Sequence, residues 1–182
     1  MDSRGLNLLP ASCDVLVVGG GSIGLTAVAA ACPVGAEVDL SARPAHQVEA
    51  GERLGAGTAA SGEYDVVIEA AGTESALVAA IDHARPGGTV SIPAVYWEGI
   101  AIPNVMSMFL KEVSLRPSSM YGCSGRHGPD VREVDEAAAL LAAVPELSEA
   151  VITHRFSLDD APEAFRVAAD RSTGAIKVVL EP

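Results

Sequence analysis

The sequence predicts an α/β fold built on a doubly wound, mostly parallel sheet, and three observations carry that reading. Short apolar runs of strand length alternate with Ala-rich helical stretches from Asp14 onward, the order a parallel sheet requires. Of the 182 residues 49% are hydrophobic but only 4% aromatic, so the core is made of Ala, Val, Leu and Ile, which pack small-residue helices onto a sheet buried on both faces. The run Gly19-Gly20-Gly21-Ser22-Ile23-Gly24 separates the first such strand from the first such helix. At this length one well-buried domain with a small appendage is expected, with 1–122 holding the sheet and 123–182 the C-terminal helices and strands.

Each element follows from local chemistry. Asp14 to Val18 is the first strand, and Leu25 to Cys32 is a helix closed by Pro33 and Gly35. Glu37 to Ser41 is the second strand, completing a βαβ unit, and Ala45 to Leu54 is a helix ended by Gly55. The stretch Gly55 to Tyr64 is too short for a strand plus crossover helix, so any strand there is stunted. Asp65 to Ala70 is the next strand, then a helix from Glu74 to Ala84 stopped by Arg85-Pro86-Gly87-Gly88. Thr89 to Val95 is a strand in which Pro93 implies an end or a bulge, because proline removes a ladder donor. Asn104 to Leu110 reads as a helix, Glu112 to Arg116 as a strand and Ser118 to Pro129 as a loop. A helix at Val131 to Ala143, a strand at Val151 to Phe156, a helix opening Asp159-Asp160-Ala161-Pro162 and a strand at Ala175 to Leu180 complete the chain. Asp at that helix start, with Pro in its first turn, is favourable capping chemistry.

The formal net charge of −12 argues against nucleic-acid binding, which needs a basic face. No apolar run reaches the length of a membrane span, and Met1 to Pro10 lacks the pattern of a signal peptide, so a cytoplasmic location is expected. Cys13, Cys32 and Cys123 are too few and too irregularly spaced for a disulfide framework or a zinc site; the first two are expected to pack in the core.

The glycine run is the site. Following a strand, opening a helix and heading a βαβ unit, it is the Rossmann-type phosphate turn. Gly19 permits the tight turn, Gly21 lets a pyrophosphate approach the backbone, and Gly24 lets helix and strand pack closely. Ser22 and Ile23 then begin a helix whose free NH groups and partial positive charge face the phosphates. The end of the second strand selects the cofactor, because a carboxylate there accepts from the ribose 2′-OH of NAD whereas a 2′-phosphate needs a cation. The residues there are Ser41, Ala42 and Arg43, so NADP(H) is favoured over NAD(H). Asp39, the nearest acid, falls on the opposite strand face from Ala42.

Five segments in this order resemble the second half of a zinc-type medium-chain alcohol dehydrogenase: Val15 to Leu25, Tyr64 to Thr73, Arg85 to Thr89, Leu110-Lys111-Glu112, and Thr153 to Ala161. The resemblance implies that Ala71 and Thr73 lie near the adenosine half of the dinucleotide, Ala94 and Val95 near the nicotinamide, and Lys177 near the pyrophosphate. It assigns packing roles to His154 and Arg155. Members of that family begin with a GroES-like domain that supplies the catalytic zinc ligands, the proton relay and most of the substrate pocket, whereas this chain starts at Met1 just before the first Rossmann strand. No zinc is therefore expected. The resemblance also places the strands Val151 to Phe156 and Ala175 to Leu180 in the sheet of that absent domain, where exposed edges invite association. It implies a homodimer through Glu112 to Arg116, or a partner chain that supplies the domain.

Hydride transfer also needs a polarised carbonyl and a proton donor. Tyr121 and His127 are the catalytic candidates, with Tyr96, Trp97 and Cys123 as further residues after strand ends. Cys123 and His127 alone make too few ligands for a metal. Three readings remain open. One is an NADP(H)-dependent oxidoreductase acting on a small molecule. Another is a non-redox cyclase or isomerase, or a cofactor-binding accessory pseudoenzyme. In the third the chain is a segment of a longer enzyme.

Overall fold

Val15 to Val18 leave β1 (Asp14–Val18) no polar face beyond its first residue, and the chain buries both sides of it. The computed structural model describes residues 13–58, 62–97, 99–102, 105–118 and 132–182. In it β1 lies between β2 (Glu37–Ser41) and β3 (Tyr64–Glu69), followed outward by β4 (Ala84–Ile92) and β5 (Ser114–Pro117). The order β2-β1-β3-β4-β5 is parallel throughout. Alternate residues of β1 enter different cores, as the period of two in a strand demands. Cys13, Val15 and Val17 pack with α1 (Ser22–Ala31) and α2 (Ala45–Arg53), while Leu16 and Val18 pack with α3 (Glu74–His83). The fold is an α/β Rossmann-like sheet covered on both faces, with a separate two-stranded sheet of β6 (Ile152–Ser157) and β7 (Lys177–Glu181).

The connections from β1 and β3 diverge: α1 carries the chain to one side of β1 and later segments carry it to the other. Crevices form where strand order reverses in this way, above the carboxyl ends of the strands. The segment between Gly55 and Tyr64 is as stunted as its length requires: Gly57 forms an isolated bridge to Asp39, donating to the Val38 carbonyl and accepting from Leu40 NH.

Several elements depart from the expected bounds. The turn Arg85 to Gly88 does not precede the strand but lies inside β4, as an irregularity between the pairs Tyr64↔Ala84 and Val66↔Thr89. It is clamped from outside. Lys111 Nζ donates to the carbonyls of Asp82 (2.8 Å) and Ala84 (3.1 Å), and the Lys111 carbonyl accepts from Gly87 NH. At the other end β4 stops at Ile92 rather than Val95, where Pro93 ends the ladder. β5 begins at Ser114 rather than Glu112, because Glu112 has φ +53° and closes α4 (Val105–Leu110) by donating to Phe109 O.

In the C-terminal part, α5 (Glu133–Ala143) is followed by a helix the sequence reading missed, α6 (Pro145–Val151), before β6 starts at Ile152. Leu147 and Ala150 of α6 are buried among the β1, α1 and α2 residues, so the C-terminal segment fills part of the main core. α7 (Ala161–Ala169) covers β6 and β7. The expected aspartate cap of α7 is absent: the Asp160 carboxylate accepts from Ser157 Oγ at 2.7 Å instead. β7 runs from Lys177 to Glu181, two residues later at its start than expected.

Candidate functional site

The glycine turn leaves β1 at Gly19, whose φ of +108° is open to glycine at low cost. A Cβ at Gly19 would stand 2.8 Å from Ala71 N, so the turn and the loop after β3 are packed against each other. Gly24 has no room either, since a Cβ there would overlap the Gly19 carbonyl oxygen. Gly21 differs: nothing lies within 4 Å of the position its Cβ would take. It is the N-cap of α1, in extended conformation, with no side-chain cap and no acidic residue in the first turn of the helix. The amides that open α1, at Ser22 and Ile23, therefore face an open approach without a competing side chain.

Beside this turn runs a cleft of about 240 Å³ lined by Gly19, Ser41, Ala42, Arg43, Ala71 and Thr73 among others. That is below the ~300–1,000 Å³ of ordinary small-molecule sites. The structure thus brings together the residues expected at the adenosine end. Ser41 and Arg43 are exposed, and among the described residues Arg43 engages no carboxylate. Asp39 is turned away: its Oδ2 accepts from Tyr64 OH at 2.7 Å. No carboxylate from β2 therefore enters the cleft.

The loop after β4 carries Ala94 and Val95 beside Gly72, where a Cβ would lie 3.6 Å from Val95 O and 3.7 Å from Ala94 Cβ. Trp97 is 90% exposed. Tyr96 turns inward, and its hydroxyl donates to Glu69 Oε2. Burial first, and then that carboxylate, push the Tyr96 phenol well above its ordinary range, so it is a poor proton donor near neutral pH. Lys177 opens β7 in the second sheet, exposed and not among the residues lining the cleft. Tyr121, Cys123 and His127 lie outside the described residues.

Three features were missed in the sequence. Gln47 and Ser75 also line the cleft, and Gly20 is required because a Cβ there would meet Gln47 Cβ at 2.7 Å and Ala42 Cβ at 2.9 Å. Glu69 is fully buried at the end of β3, with Oε1 accepting from the amides of Ala71 and Gly72 at 2.9 Å each. An acid closing an otherwise apolar strand was the available signal for it. Elsewhere, Cys13 is buried and Cys32 packs against the same core; burial raises both thiols above their usual range. Among the described residues no helix is long and apolar enough to cross a membrane.

No protein-family model matches the chain. It is 31% identical over 193 residues to an L-arabinitol 4-dehydrogenase of Aureobasidium melanogenum, covering 92% of this chain and 49% of that protein. To the L-arabinitol 4-dehydrogenase of Hypocrea jecorina it is 33% identical over 189 residues, covering 92% and 48%. The chain spans about half the length of the curated relatives it matches. Among solved structures, one described as a zinc-binding dehydrogenase of Sinorhizobium meliloti 1021 bound to NADP superposes with a TM-score of 0.76 at 28% identity, over 96% of this chain and 54% of that one. L-idonate 5-dehydrogenase of Escherichia coli shares the fold, with a TM-score of 0.77 at 24% identity over 92% and 49%. The relatives and neighbours are thus dehydrogenases.

Proposed function

We propose that the chain is the dinucleotide-binding part of a medium-chain dehydrogenase or reductase and that it holds NADP(H) in preference to NAD(H). The observation that carries this is the pairing of an open, uncapped helix start at Gly21 with an exposed Arg43 in the adjoining cleft, while Asp39 is held elsewhere by Tyr64. The amides of Ser22 and Ile23 would hold the pyrophosphate, and Ser41 and Arg43 the 2′-phosphate, by charge-assisted hydrogen bonds. Ala71 and Thr73 would border the adenosine, and Ala94 and Val95 the nicotinamide. When bound, the dinucleotide supplies a hydride donor or acceptor. This chain's own residues bind and orient it.

The same reading carries further proposals. The unit is divided as 1–122 for dinucleotide binding and 123–182 for an appendage, and it works in the cytoplasm on a small-molecule substrate. Two copies join through the exposed edge of β5, or a partner chain supplies the substrate-binding side; Tyr121 and His127 are the proton-donor candidates. Lys177 enters as a pyrophosphate contact only by way of the family resemblance.

The test is a calorimetric titration of the purified chain with NADPH and NADH side by side. NADPH is expected to bind the more tightly, by about tenfold or more. Gly21→Asp, which sets a charge and a side chain in the open space, is expected to abolish binding of both. Binding of neither nucleotide to folded wild-type protein would overturn the proposal.

A further inference from the structure

The fully buried carboxyl group of Glu69 joins two loops, the one after β3, which borders the cleft, and the one after β4. One oxygen accepts from the amides of Ala71 and Gly72 at 2.9 Å, which shapes the loop after β3. The other accepts from Tyr96 OH, in the loop after β4. The first of these loops is in turn pressed against the glycine turn, where Ala71 N lies 2.8 Å from the place a Gly19 Cβ would occupy. The chain around Tyr96 has left the sheet at Ile92, and Val95 (56%) and Trp97 (90%) on either side of it face solvent. Within the loop the backbone is closed by Gly99 NH donating to Tyr96 O at 3.2 Å. Among the described residues, Tyr96 OH donating to Glu69 ties this loop to β3.

From this geometry we infer that Tyr96 and Glu69 are positioning residues that set the Ala94–Tyr96 loop at a fixed height relative to the glycine turn, and so present the nicotinamide end of a dinucleotide for reaction. The inference rests on the NADP(H) reading above and deepens it by separating the two halves of the ligand. The cleft proposed for the adenosine half is lined by the glycine turn, Ser41 to Arg43, Ala71, Thr73 and Ser75, and Tyr96 is not among its lining residues. The nicotinamide half depends on a loop that, among the described residues, the Tyr96 phenol ties to β3. A buried polar network of this kind specifies one arrangement only while every member is satisfied.

The test uses Tyr96→Phe, Glu69→Gln and the double variant of the full chain, titrated with NADPH and with 2′,5′-ADP, which carries the adenosine half alone. Loss of one such hydrogen bond is expected to weaken NADPH binding by about five- to tenfold in Tyr96→Phe while leaving 2′,5′-ADP within about twofold. The double variant is expected to match Glu69→Gln rather than to add, since the Tyr96 contact ends on the Glu69 carboxylate. Unchanged 2′,5′-ADP binding also serves as the control for folding. Equal losses for both ligands, no loss for NADPH, or additive single effects would overturn the inference. Failure of the wild-type chain to bind either ligand would overturn the NADP(H) reading itself, and the positioning role with it.

Discussion

The chain contains two parallel strand pairings that look alike in sequence and differ in physics. In the five-stranded sheet, β1 and β3 show burial on both faces, with Leu16, Val17 and Val67 wholly shielded. In the β6–β7 pair, β6 alternates half-buried and exposed residues, and β7 has no buried residue at all. Both are β-α-β units, yet only the first has helices on both faces. The pair has α7 to cover it, while Leu158, Phe165 and Leu180 remain exposed. A two-stranded sheet is marginal by itself. The lesson is that the strands leading to the glycine turn are central and shielded on both faces, whereas the C-terminal pair is anchored to that core chiefly through α6.

Substitutions can break this contrast. Leu16→Ala in the central strand should lower unfolding free energy by about 3–5 kcal/mol in urea titrations, against less than about 1 kcal/mol for Leu180→Ala in β7, which is already 38% exposed. Similar losses at both positions would show that the two sheets are equally load-carrying. Gly24→Ala places a methyl group on the Gly19 carbonyl oxygen and should cost about 3 kcal/mol, together with dinucleotide affinity.

Smaller effects concern charge. Tyr96 is held above its ordinary value by burial and by Glu69, so an unfolded chain loses this proton first. Stability from it is intact below pH ~10 and falls as pH rises above that. Tyr96→Phe should flatten this alkaline loss in melting curves collected across pH. At the opposite limit, Asp65 is held below the usual carboxylate range by Arg85 Nε at 2.5 Å and then by Asp14 NH at 3.1 Å. Its contribution is present above pH ~4 and is lost as pH falls through the lowered value, so Asp65→Asn should remove part of the acid sensitivity. The smallest effect is expected at Phe165, 73% exposed on α7, where Phe165→Ser should change stability by no more than about 0.5 kcal/mol. A larger loss would mean that the C-terminal face is covered in solution.

The glycine turn, the βαβ unit and the position of Ser41-Ala42-Arg43 just past β2 were legible because each is local. Glycine placement, an apolar run and the residues just past a strand depend on neighbours a few positions away. The stunted segment between Gly55 and Tyr64 followed from counting residues. α6 was not legible: its seven residues hold Pro, two Glu and Ser, and it is a helix because Leu147 and Ala150 find a core made by distant segments. The irregularity in β4 was hidden for the same reason, since Lys111 holds it from a different part of the chain.

The amino-acid order by itself therefore determined the strand-turn-helix start, the absence of a carboxylate where β2 ends, and the class of fold. These are set by backbone conformational preference and short-range burial. Only the tertiary structure decided that Asp39 is occupied by Tyr64, that Gly20 must make way for Gln47, and that Glu69 joins Tyr96 across 27 residues of chain. A buried polar group takes its partner from whatever donor the packing brings within reach, and that donor has no fixed distance along the sequence.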